Sequence, residues 1–417
     1  MYKKYLKNRK EMSLIYNGYD LSNIMSFDIA CLSYGQKKSF RKHLTNIFFA
    51  QKISIPLFND DILFSMGPYG KRVDYNEIIH HAMSEVDIKN IFKVEEKPKL
   101  EFLFSLKGFK FTILEFFKRK IDLPIKSKLI LFLTMLHYIN TIELLQKESI
   151  SWKYKKYCSF CSSLPLEAII DNYFRLHNVT TYTLQHAIYS FPNTPQIDIV
   201  TLDNMPSDYI LCWGEYTKDE FLRYGNIPPA KIKISGYPHP IKNLSPYEIK
   251  GRCRILFLCS RKIYSDENIK IIRIISSCLN EIDIDVTIKP HPGLDIEEYR
   301  KISDSFGLKF YESSSVSDAL NSKKFDIVIT YNSTAYYDAY MNNIIALKYK
   351  NDRNEMNFNI MENDSFSSKA ELLAQLKIII EESNNENTWI NIKNKLHYAT
   401  GYGINNYSDS LASSAPS

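Results

Sequence analysis

From about residue 252 to residue 385 the sequence alternates short apolar segments with amphipathic ones, and this alternation limits the possible fold more than any other feature. The apolar segments, such as RCRILFLCS and FDIVITY, have the length and composition of buried strands. The segments between them, such as DENIKIIRIISSCLNE, carry apolar residues at helical spacing. Strands that alternate with helices form parallel sheets covered on both faces, so we predict a Rossmann-like α/β domain here.

A second, weaker alternation starts at about residue 150. KYKKYCSFCSS, VTTYTLQHAIY, DYILCWG and AKIKIS are predicted strands, and PLEAIIDNYFRLHN and EYTKDEFLRYG are predicted helices. The proline-rich GYPHPIKNLSPYEIKG that follows is typical of a linker, because proline restricts the backbone on both sides. We therefore predict an α/β protein with an N-terminal domain over residues 1–245, a C-terminal domain over residues 246–400 and a polar tail over residues 401–417.

Residues 95–150 are predicted to form a helical, basic and aromatic insertion in the N-terminal domain. Its first part, KPKLEFLFSLKGFKFTILEFFKRKIDLPIKSKLILFL, can lie on an anionic membrane surface, or can pack on its own domain with solvated lysines. The longest apolar run, residues 129–139, is too short to span a membrane. No apolar signal region follows the basic N-terminus. The expected location is the cytoplasm, with the inner face of the cytoplasmic membrane as an alternative.

Composition argues against several classes of function. A net charge of +6 on 417 residues is too small an excess to predict nucleic-acid binding. Cys158 and Cys161 form a CxxC pair with no second pair to complete a zinc site, so reduced thiols are the better interpretation. Asp283 and Asp285 form a DxD pair, but it precedes its strand. We predict no metal and no cofactor.

Ligands of doubly wound sheets bind beyond the carboxyl ends of the strands. In the C-terminal domain these positions hold Ser260, Arg261, Lys289, His291, Glu312, Ser313, Asn332, Ser333 and Thr334. Most of these are residue types that bind phosphate. Two prolines hold His291 in a rigid loop, where it can donate to a phosphate or bond a nearby carbonyl. Ser333 and Thr334 are predicted at the start of a helix, either as an anion site or as an ordinary N-cap. Together these residues predict a pocket for a nucleotide mono- or diphosphate.

KPHP, followed some forty residues later by ITYNST, resembles the HP and S-S/T motifs of bacterial GT-B glycosyltransferases that use CMP-activated sugars, including sialyl-, polysialyl- and Kdo-transferases. It equally resembles the polyol-phosphate transferases of capsule and teichoic-acid synthesis. TYTLQHAIYS and LCWGEYTKDEFLRYG are similar to motifs of surface-polysaccharide transferases. The resemblance covers residues 155–350 and implies a GT-B fold, in which two Rossmann-like domains face each other across a cleft, with metal-independent catalysis.

The resemblance also implies roles for individual residues. His291, Ser333 and Thr334 would bind the donor phosphate, and Glu312 would hold a ribose hydroxyl. Ser260, Arg261, Lys289 and Asn332 are further candidates for the nucleotide site. His186 would face the acceptor and is our preferred general base, although a purely structural turn histidine is the alternative.

The general base is the weakest part of the resemblance. The acidic-acidic-glycine motif of the sialyltransferases is absent, because NDDIL has Asp60 and Asp61 but no glycine. Ala187 also replaces glycine in the QHA turn. We prefer His186 over Glu167 or Asp61.

The expected function is sugar transfer from a nucleotide-activated donor, with a CMP-linked acidic sugar such as sialic acid or Kdo favoured, to a bacterial glycan or glycolipid. A CDP-polyol phosphotransferase is the first alternative. A UDP-sugar 2-epimerase would need several carboxylates around the hexose, and only Glu312 and Asp318 are predicted near the pocket. A non-catalytic glycan-binding protein is the last alternative.

Overall fold

The structure is a computed structural model that describes residues 1–67, 72–94, 99–191, 197, 200–224, 227–239, 242–312, 315–352 and 358–412, without the side chains of residues 42, 46, 201 and 202. Its strands, in chain order, are β1 (Ile15–Tyr16), β2 (Tyr19–Asp20), β3 (Phe49–Gln51), β4 (Ile62–Met66), β5 (Ile91–Lys93), β6 (Leu100–Phe102), β7 (Lys156–Ser159), β8 (Thr180–Leu184), β9 (Tyr209–Cys212), β10 (Ile232–Ile234), β11 (Cys253–Leu258), β12 (Ile284–Lys289), β13 (Lys309–Phe310), β14 (Ile327–Thr330), β15 (Ile345–Tyr349) and β16 (Ser365–Phe366).

The α-helices, in the same order, are α1 (Tyr2–Glu11), α2 (Leu21–Ile24), α3 (Ser26–Ser33), α4 (Phe40–Leu44), α5 (Val73–Ser84), α6 (Leu106–Phe116), α7 (Ile125–Leu145), α8 (Pro165–Leu176), α9 (Val200–Asp203), α10 (Glu215–Tyr224), α11 (Ser265–Cys278), α12 (Ile296–Ser305), α13 (Val316–Asn321), α14 (Ala335–Met341), α15 (Lys369–Glu382), α16 (Glu386–Thr400) and α17 (Tyr407–Ala412).

Two six-stranded parallel sheets organise the chain. The first has the strand order β10-β9-β8-β7-β4-β5 and the second has the order β13-β12-β11-β14-β15-β16. In both sheets the chain starts in the middle, builds one side and then returns to build the other. Strand order therefore reverses between β4 and β7 in the first sheet and between β11 and β14 in the second, and these are the positions where such sheets bind ligands. The predicted α/β class with two Rossmann-like domains is confirmed.

The strands of the second sheet are apolar because helices cover both of its faces. The side chains of β14 and β15 are buried along their whole length, and so are those of β11 and β12 apart from one or two residues near their starts. A strand buried on both faces has no polar alternation, which is why these segments are continuous apolar runs in the sequence.

The end of the chain differs from the predicted polar tail over residues 401–417. After α16 the chain turns at Gly401 and α17 packs on the N-terminal domain, where Tyr407 and Leu411 are buried. The Tyr407 hydroxyl donates to the Gly236 carbonyl (3.1 Å), and Lys233 donates to the Ser410 carbonyl (3.0 Å). Residues 401–412 therefore join the two domains. Of the predicted tail, residues 413–417 lie outside the part of the chain that the structure describes.

Glycine is required where the chain passes from the end of α16 to the N-terminal domain. Gly401 has φ +70°, and a Cβ there would lie 2.1 Å from the Trp213 carbonyl oxygen. Gly236 has φ +98°, and a Cβ there would lie 2.0 Å from the Ile404 carbonyl oxygen. The two backbones approach so closely that any side chain would push the domains apart at this point.

Helix α7 is longer than the apolar run recognised in the sequence. Among the described residues it is one helix with the length and mean hydropathy (1.3) of a membrane span, contrary to our expectation from residues 129–139. However, 67% of its most apolar window is buried against the protein, as in the core helix of a water-soluble fold.

Candidate functional site

Most of the predicted phosphate ligands meet at the carboxyl edge of the second sheet. Ser260 and Arg261 follow β11, Lys289 ends β12, and Asn332 follows β14 after one residue. These three strands are neighbours, with Leu258 of β11 paired to Lys289 of β12. Consecutive parallel strands end side by side, so residues far apart in the chain surround one position.

Two of these ligands are buried. Burial lowers the pKa of Lys289, because the charged ammonium is partly removed from water. The hydroxyl of Ser260 has no hydrogen-bond partner among the described residues. The loop that carries it is fixed, since Asn268 accepts from the Ser260 N–H (2.8 Å) and donates to its carbonyl (3.0 Å). An unpartnered buried hydroxyl beside a buried ammonium is suited to a ligand oxygen.

His291 is held in one tautomer by its own loop. The Gly293 N–H donates to Nδ1 of His291 over 3.0 Å, so Nδ1 is the unprotonated nitrogen of the neutral ring and Nε2 carries the proton. Burial lowers the pKa of His291 most, followed by the positive charges of Arg72, Arg261 and Lys289. The neutral ring is therefore favoured at pH 7, with an N–H available from Nε2 for an anionic ligand.

The helix that follows the serine-threonine pair starts later than predicted. Helix α14 starts at Ala335, with Thr334 as its N-cap and without a capping hydrogen bond from the threonine side chain. The Ser333 hydroxyl accepts from the Ala335 N–H at 3.3 Å, and Asn332 has φ +43°. The prediction that both side chains occupy the first helical positions is wrong by two residues, because α14 starts at Ala335 and not at Ser333, although both remain beside the pocket in the chain.

Glu312 lies apart from these residues. Its side chain is 71% exposed and forms an ion pair with Arg300 at 2.9 Å. It follows β13, which is the edge strand of the sheet. Ser313 lies outside the described residues.

The opposite wall of the cleft is the start of α5 in the N-terminal domain. Arg72 donates to Asp74 over 3.1 Å and lies over the Tyr75 ring at 3.8 Å. The charges of both Arg72 and Asp74 act on His291, so this end of α5 faces the phosphate ligands of the other domain.

Carboxylates of both domains face each other in the same cleft. Burial raises the pKa of Glu77, and the negative charges of Asp74 and Asp318 raise it further. Burial raises the pKa of Asp338 to about 7, again with help from Asp74 and Glu77, while Tyr237 donates to its carboxylate at 2.6 Å. Our sequence reasoning missed Asp74, Glu77 and Asp338. The one available signal was the pair of acids three residues apart at the start of α5.

His186 follows β8 at the carboxyl end of this strand. Its ring packs against Tyr75, Phe160 and Tyr189 with centroids 5.7, 5.1 and 5.7 Å away. Its Nδ1 is 3.1 Å from the Tyr189 hydroxyl. Tyr75 also contacts Arg72, so a short chain of contacts connects His186 to the cation cluster.

Glu167 and Asp61, the two other candidate bases, lie at opposite edges of the first sheet. Asp61 directly precedes β4, is exposed and pairs with Lys155, so it lies at the amino edge and is a wrong choice. Glu167 lies in the first turn of α8 at the carboxyl ends of β4 and β7, where strand order reverses. A Cβ at Gly67 would lie 2.7 Å from its Oε2.

Glu167 is fully buried, and burial raises its pKa to about 8. The Ser65 hydroxyl donates to Oε1 over 3.3 Å, whereas Oε2 has no partner at hydrogen-bond distance among the described residues. A protonated carboxyl group at a ligand-binding edge is a candidate for hydrogen bonding to substrate.

Cys158 and Cys161 are buried, and burial raises the pKa of both thiols, which keeps them protonated and unreactive. The described residues contain no group of three or more histidine, cysteine or acidic side chains arranged to hold a metal ion.

No family model matches this chain, and no curated protein matches its sequence. Several solved structures are similar to it in fold. A structure of S. aureus MnaA with UDP is 13% identical, covers 84% of this chain and 94% of its own, and has a TM-score of 0.50. A putative UDP-N-acetylglucosamine 2-epimerase from Listeria monocytogenes is 13% identical with the same coverage and a TM-score of 0.51. From the strand order and these similarities, the chain has a GT-B-like fold of two Rossmann-like domains.

Proposed function

We propose that this protein is a glycosyltransferase that moves a sugar from a nucleotide-activated donor to a hydroxyl group of a bacterial surface glycan or glycolipid. The observation that carries the proposal is the cation cluster at the carboxyl edge of the second sheet, beside its reversal point. Arg261, Lys289 and His291 share this position, and Arg72 faces them from the other domain. Like charges gathered in a partly buried cleft favour an anionic ligand, and a sugar nucleotide supplies one as its phosphate.

The cluster fits the leaving group of sugar transfer. When the acceptor oxygen bonds to the anomeric carbon, the bond from that carbon to the phosphate oxygen breaks, and the nucleotide leaves with the electron pair. Lys289, Arg261 and the Nε2–H of His291 would stabilise the negative charge that develops on this oxygen. The protein would thus supply the positive charge that a metal ion supplies in other transferases.

The acceptor proton needs a base on the other side of the cleft. We propose His186, at the carboxyl edge of the first sheet, with Asp74 as the alternative because its charge acts directly on His291. His186→Asn and Asp74→Asn separate the two choices. Loss of turnover with unchanged nucleotide binding in one variant alone identifies the base.

The donor nucleotide is proposed to be a cytidine nucleotide, on the resemblance of KPHP and ITYNST to CMP-sugar transferases. A thermal-shift panel of CMP, CDP, UDP and GDP tests it, because a ligand that binds only the folded protein raises the melting temperature. At one hundred times its Kd the correct nucleotide adds about 2.7 kcal/mol of stability. A response to UDP alone would refute the cytidine preference, and no response to any nucleotide would refute the donor site. His291→Ala should reduce the response, with Lys301→Ala on helix α12 as the control.

A second candidate, UDP-sugar 2-epimerisation, is favoured by the carboxylates of the cleft, of which the sequence predicted Asp318 and missed the other three. Asp74, Glu77, Asp318 and Asp338 converge on one cleft, which is the arrangement that such chemistry needs. Inverting a C–H centre requires breaking that bond, so UDP-N-acetylglucosamine incubated in heavy water would gain deuterium at C2. Deuterium incorporation without acceptor would establish the epimerase, and nucleotide release that depends on acceptor would establish the transferase.

CDP-polyol phosphotransfer remains the first alternative to sugar transfer. With CDP-glycerol or CDP-ribitol as donor, a phosphotransferase would release CMP and leave the donor's second phosphate on the acceptor. Mass analysis of the product distinguishes this outcome. A protein that binds glycan but turns over no donor would be the non-catalytic alternative.

A further inference from the structure

We propose that the outer surface of α6 and its neighbours binds the anionic surface of a lipid bilayer. This surface, called here the α6 face, consists of the exposed side of α6, the aromatic residues beside β3 and β6, and the first turn of α7. The proposal concerns a surface of the N-terminal domain and does not depend on the activity of the cleft.

Helix α6 has a buried side, which holds Gly108, Thr112 and Phe116, and an exposed side that also carries large apolar residues. Gly108 and Thr112 are buried on the side that packs against α7, and a Cβ at Gly108 would lie 2.5 Å from Ile139. On the other side Leu106 is 75% exposed and Phe117, just after the helix, is 66% exposed. Ile113 and Leu114 are also exposed on this side. A surface helix normally turns its apolar side chains towards the core, so a second apolar side facing outward requires another explanation.

The apolar surface continues beyond the helix. Phe102 in β6 is 73% exposed and stacks on the exposed Phe48 with ring centroids 6.3 Å apart. At the other end Phe117 packs against Phe132 of α7 (5.7 Å), and Ile125 in the first turn of α7 is 79% exposed. Exposed large side chains thus lie at both ends of α6 as well as along it. Patches of this kind mark sites of contact with proteins or membranes.

The positive charge of the α6 face favours an anionic bilayer over a second copy of the chain. Residues 99–129 contain eight lysines and arginines against three carboxylates, a net charge of +5 in a chain whose total is +6. Two of the carboxylates, Glu101 and Glu115, are already paired with cations of the same surface. A second copy of the chain would place +5 against +5, whereas anionic headgroups would neutralise the lysines while the apolar side chains enter the acyl boundary.

The contact would be peripheral. The exposed residues of α7 that join the α6 face lie near the start of the helix, and most of this helix is buried in the domain core. Exposed residues at the start of α7, such as Ile125 and Leu129, therefore join the surface without the helix leaving the protein.

Co-sedimentation of the full chain with vesicles tests the proposal. We expect binding to vesicles of phosphatidylcholine with phosphatidylglycerol, little binding to pure phosphatidylcholine, and release by high salt. The double variant Leu106→Ser/Phe117→Ser should bind at least about tenfold more weakly, since each side chain loses its transfer from water. Lys110→Glu should weaken binding by about fivefold or more, from the contribution of one lysine near an anionic surface.

Matched substitutions elsewhere on the chain control for general effects. Ile390→Ser on α16 and Lys377→Glu on α15 replace exposed helical residues far in sequence from the α6 face, and both should bind as the wild type does. Circular dichroism and melting temperature check that every variant is folded.

Four results would overturn the proposal. Equal binding to charged and neutral vesicles would remove the role of the lysines, and equal losses in the control variants would remove the role of the α6 face. Binding that resists alkaline extraction would instead indicate that α7 inserts across the bilayer. Concentration-dependent dimerisation through the α6 face, without vesicle binding, would assign the surface to a second copy.

Discussion

Replacing Glu167 with glutamine should change how the stability of the protein depends on pH. Glu167 is fully buried at the reversal point of the first sheet, and burial raises its pKa from 4.5 to about 8. Glutamine has nearly the same shape and keeps an oxygen that can accept from the Ser65 hydroxyl, but it has no proton to lose.

The sign follows from which state loses the proton first. Below pH 4.5 the carboxyl group is protonated in both the folded and the unfolded chain. Between about pH 4.5 and pH 8 the unfolded chain releases the proton and the folded protein keeps it, so the free energy of unfolding falls as pH rises. At about 1.4 kcal/mol per pH unit, the loss between pH 5 and pH 8 is about 3–4 kcal/mol. The glutamine variant does not suffer this loss.

Urea denaturation of the wild type and of Glu167→Gln at pH 5 and at pH 8 measures the effect. We expect the two proteins to be similar at pH 5 and the variant to be more stable at pH 8 by about 3–4 kcal/mol. If the difference between them were the same at both pH values, Glu167 would be ionised in the folded protein and the reasoning would be wrong.

Asp171, one helical turn further along α8, is the matched control. Burial raises its pKa to about 7, but the Ser207 hydroxyl donates to it at 2.6 Å and it lies towards the amino edge of the sheet, beside Thr181. Asp171→Asn should therefore show a similar pH-dependent gain without affecting turnover. If Glu167 contacts substrate, Glu167→Gln should reduce kcat as well, so that only one of two stabilising substitutions impairs activity.

Two further pairs of substitutions test the geometry of the cleft and of the contact between Gly401 and the N-terminal domain. His291→Gln keeps an N–H donor near the Nε2 position and should retain part of the nucleotide affinity, whereas His291→Ala should lose about 1.5–3 kcal/mol of it by calorimetry. Equal losses in both variants would show that the histidine does not act as a donor. Gly401→Ala should destabilise the protein by more than Gly307→Ala in urea, because both glycines have positive φ but only Gly401 lies against a backbone oxygen. Equal losses of stability in the two variants would mean that the backbone around Gly401 shifts easily to accommodate a Cβ.

The C-terminal sheet was predictable from sequence because its strands are buried on both faces. Such strands are continuous apolar runs, and the residues that follow them must lie at one edge, which is how Lys289 and His291 were identified. The first sheet was harder to recognise. Its β5 has only three residues, none of them fully buried, so the segment carries no strand periodicity.

The carboxylates of the cleft could not be predicted in the same way. Asp74 and Glu77 reach the cleft because domain packing places α5 opposite the second sheet, and no local pattern encodes the orientation of two domains. The position of Glu167 depends on strand order, since it lies at a reversal point only because β7 pairs with β4. Alternation predicts which segments are strands, but it does not predict their neighbours.

The charges on the two sides of the cleft differ in a way that bears on its chemistry. The C-terminal sheet places Arg261, Lys289 and His291 at its carboxyl edge beside the reversal point, whereas the N-terminal sheet places a buried carboxyl group, Glu167, at its own reversal point. Each arrangement disfavours the charged form of a buried group and so reduces the stability of the empty protein. A loss of stability of this kind is common at sites where a bound ligand compensates it. We therefore expect the phosphate to bind at the C-terminal sheet and a hydroxyl-bearing group to bind at the N-terminal sheet. Both sugar transfer and epimerisation need a phosphate site in one domain and a hydroxyl site in the other. Nucleotide binding will therefore identify the site, and exchange of the C2 proton will distinguish the two reactions.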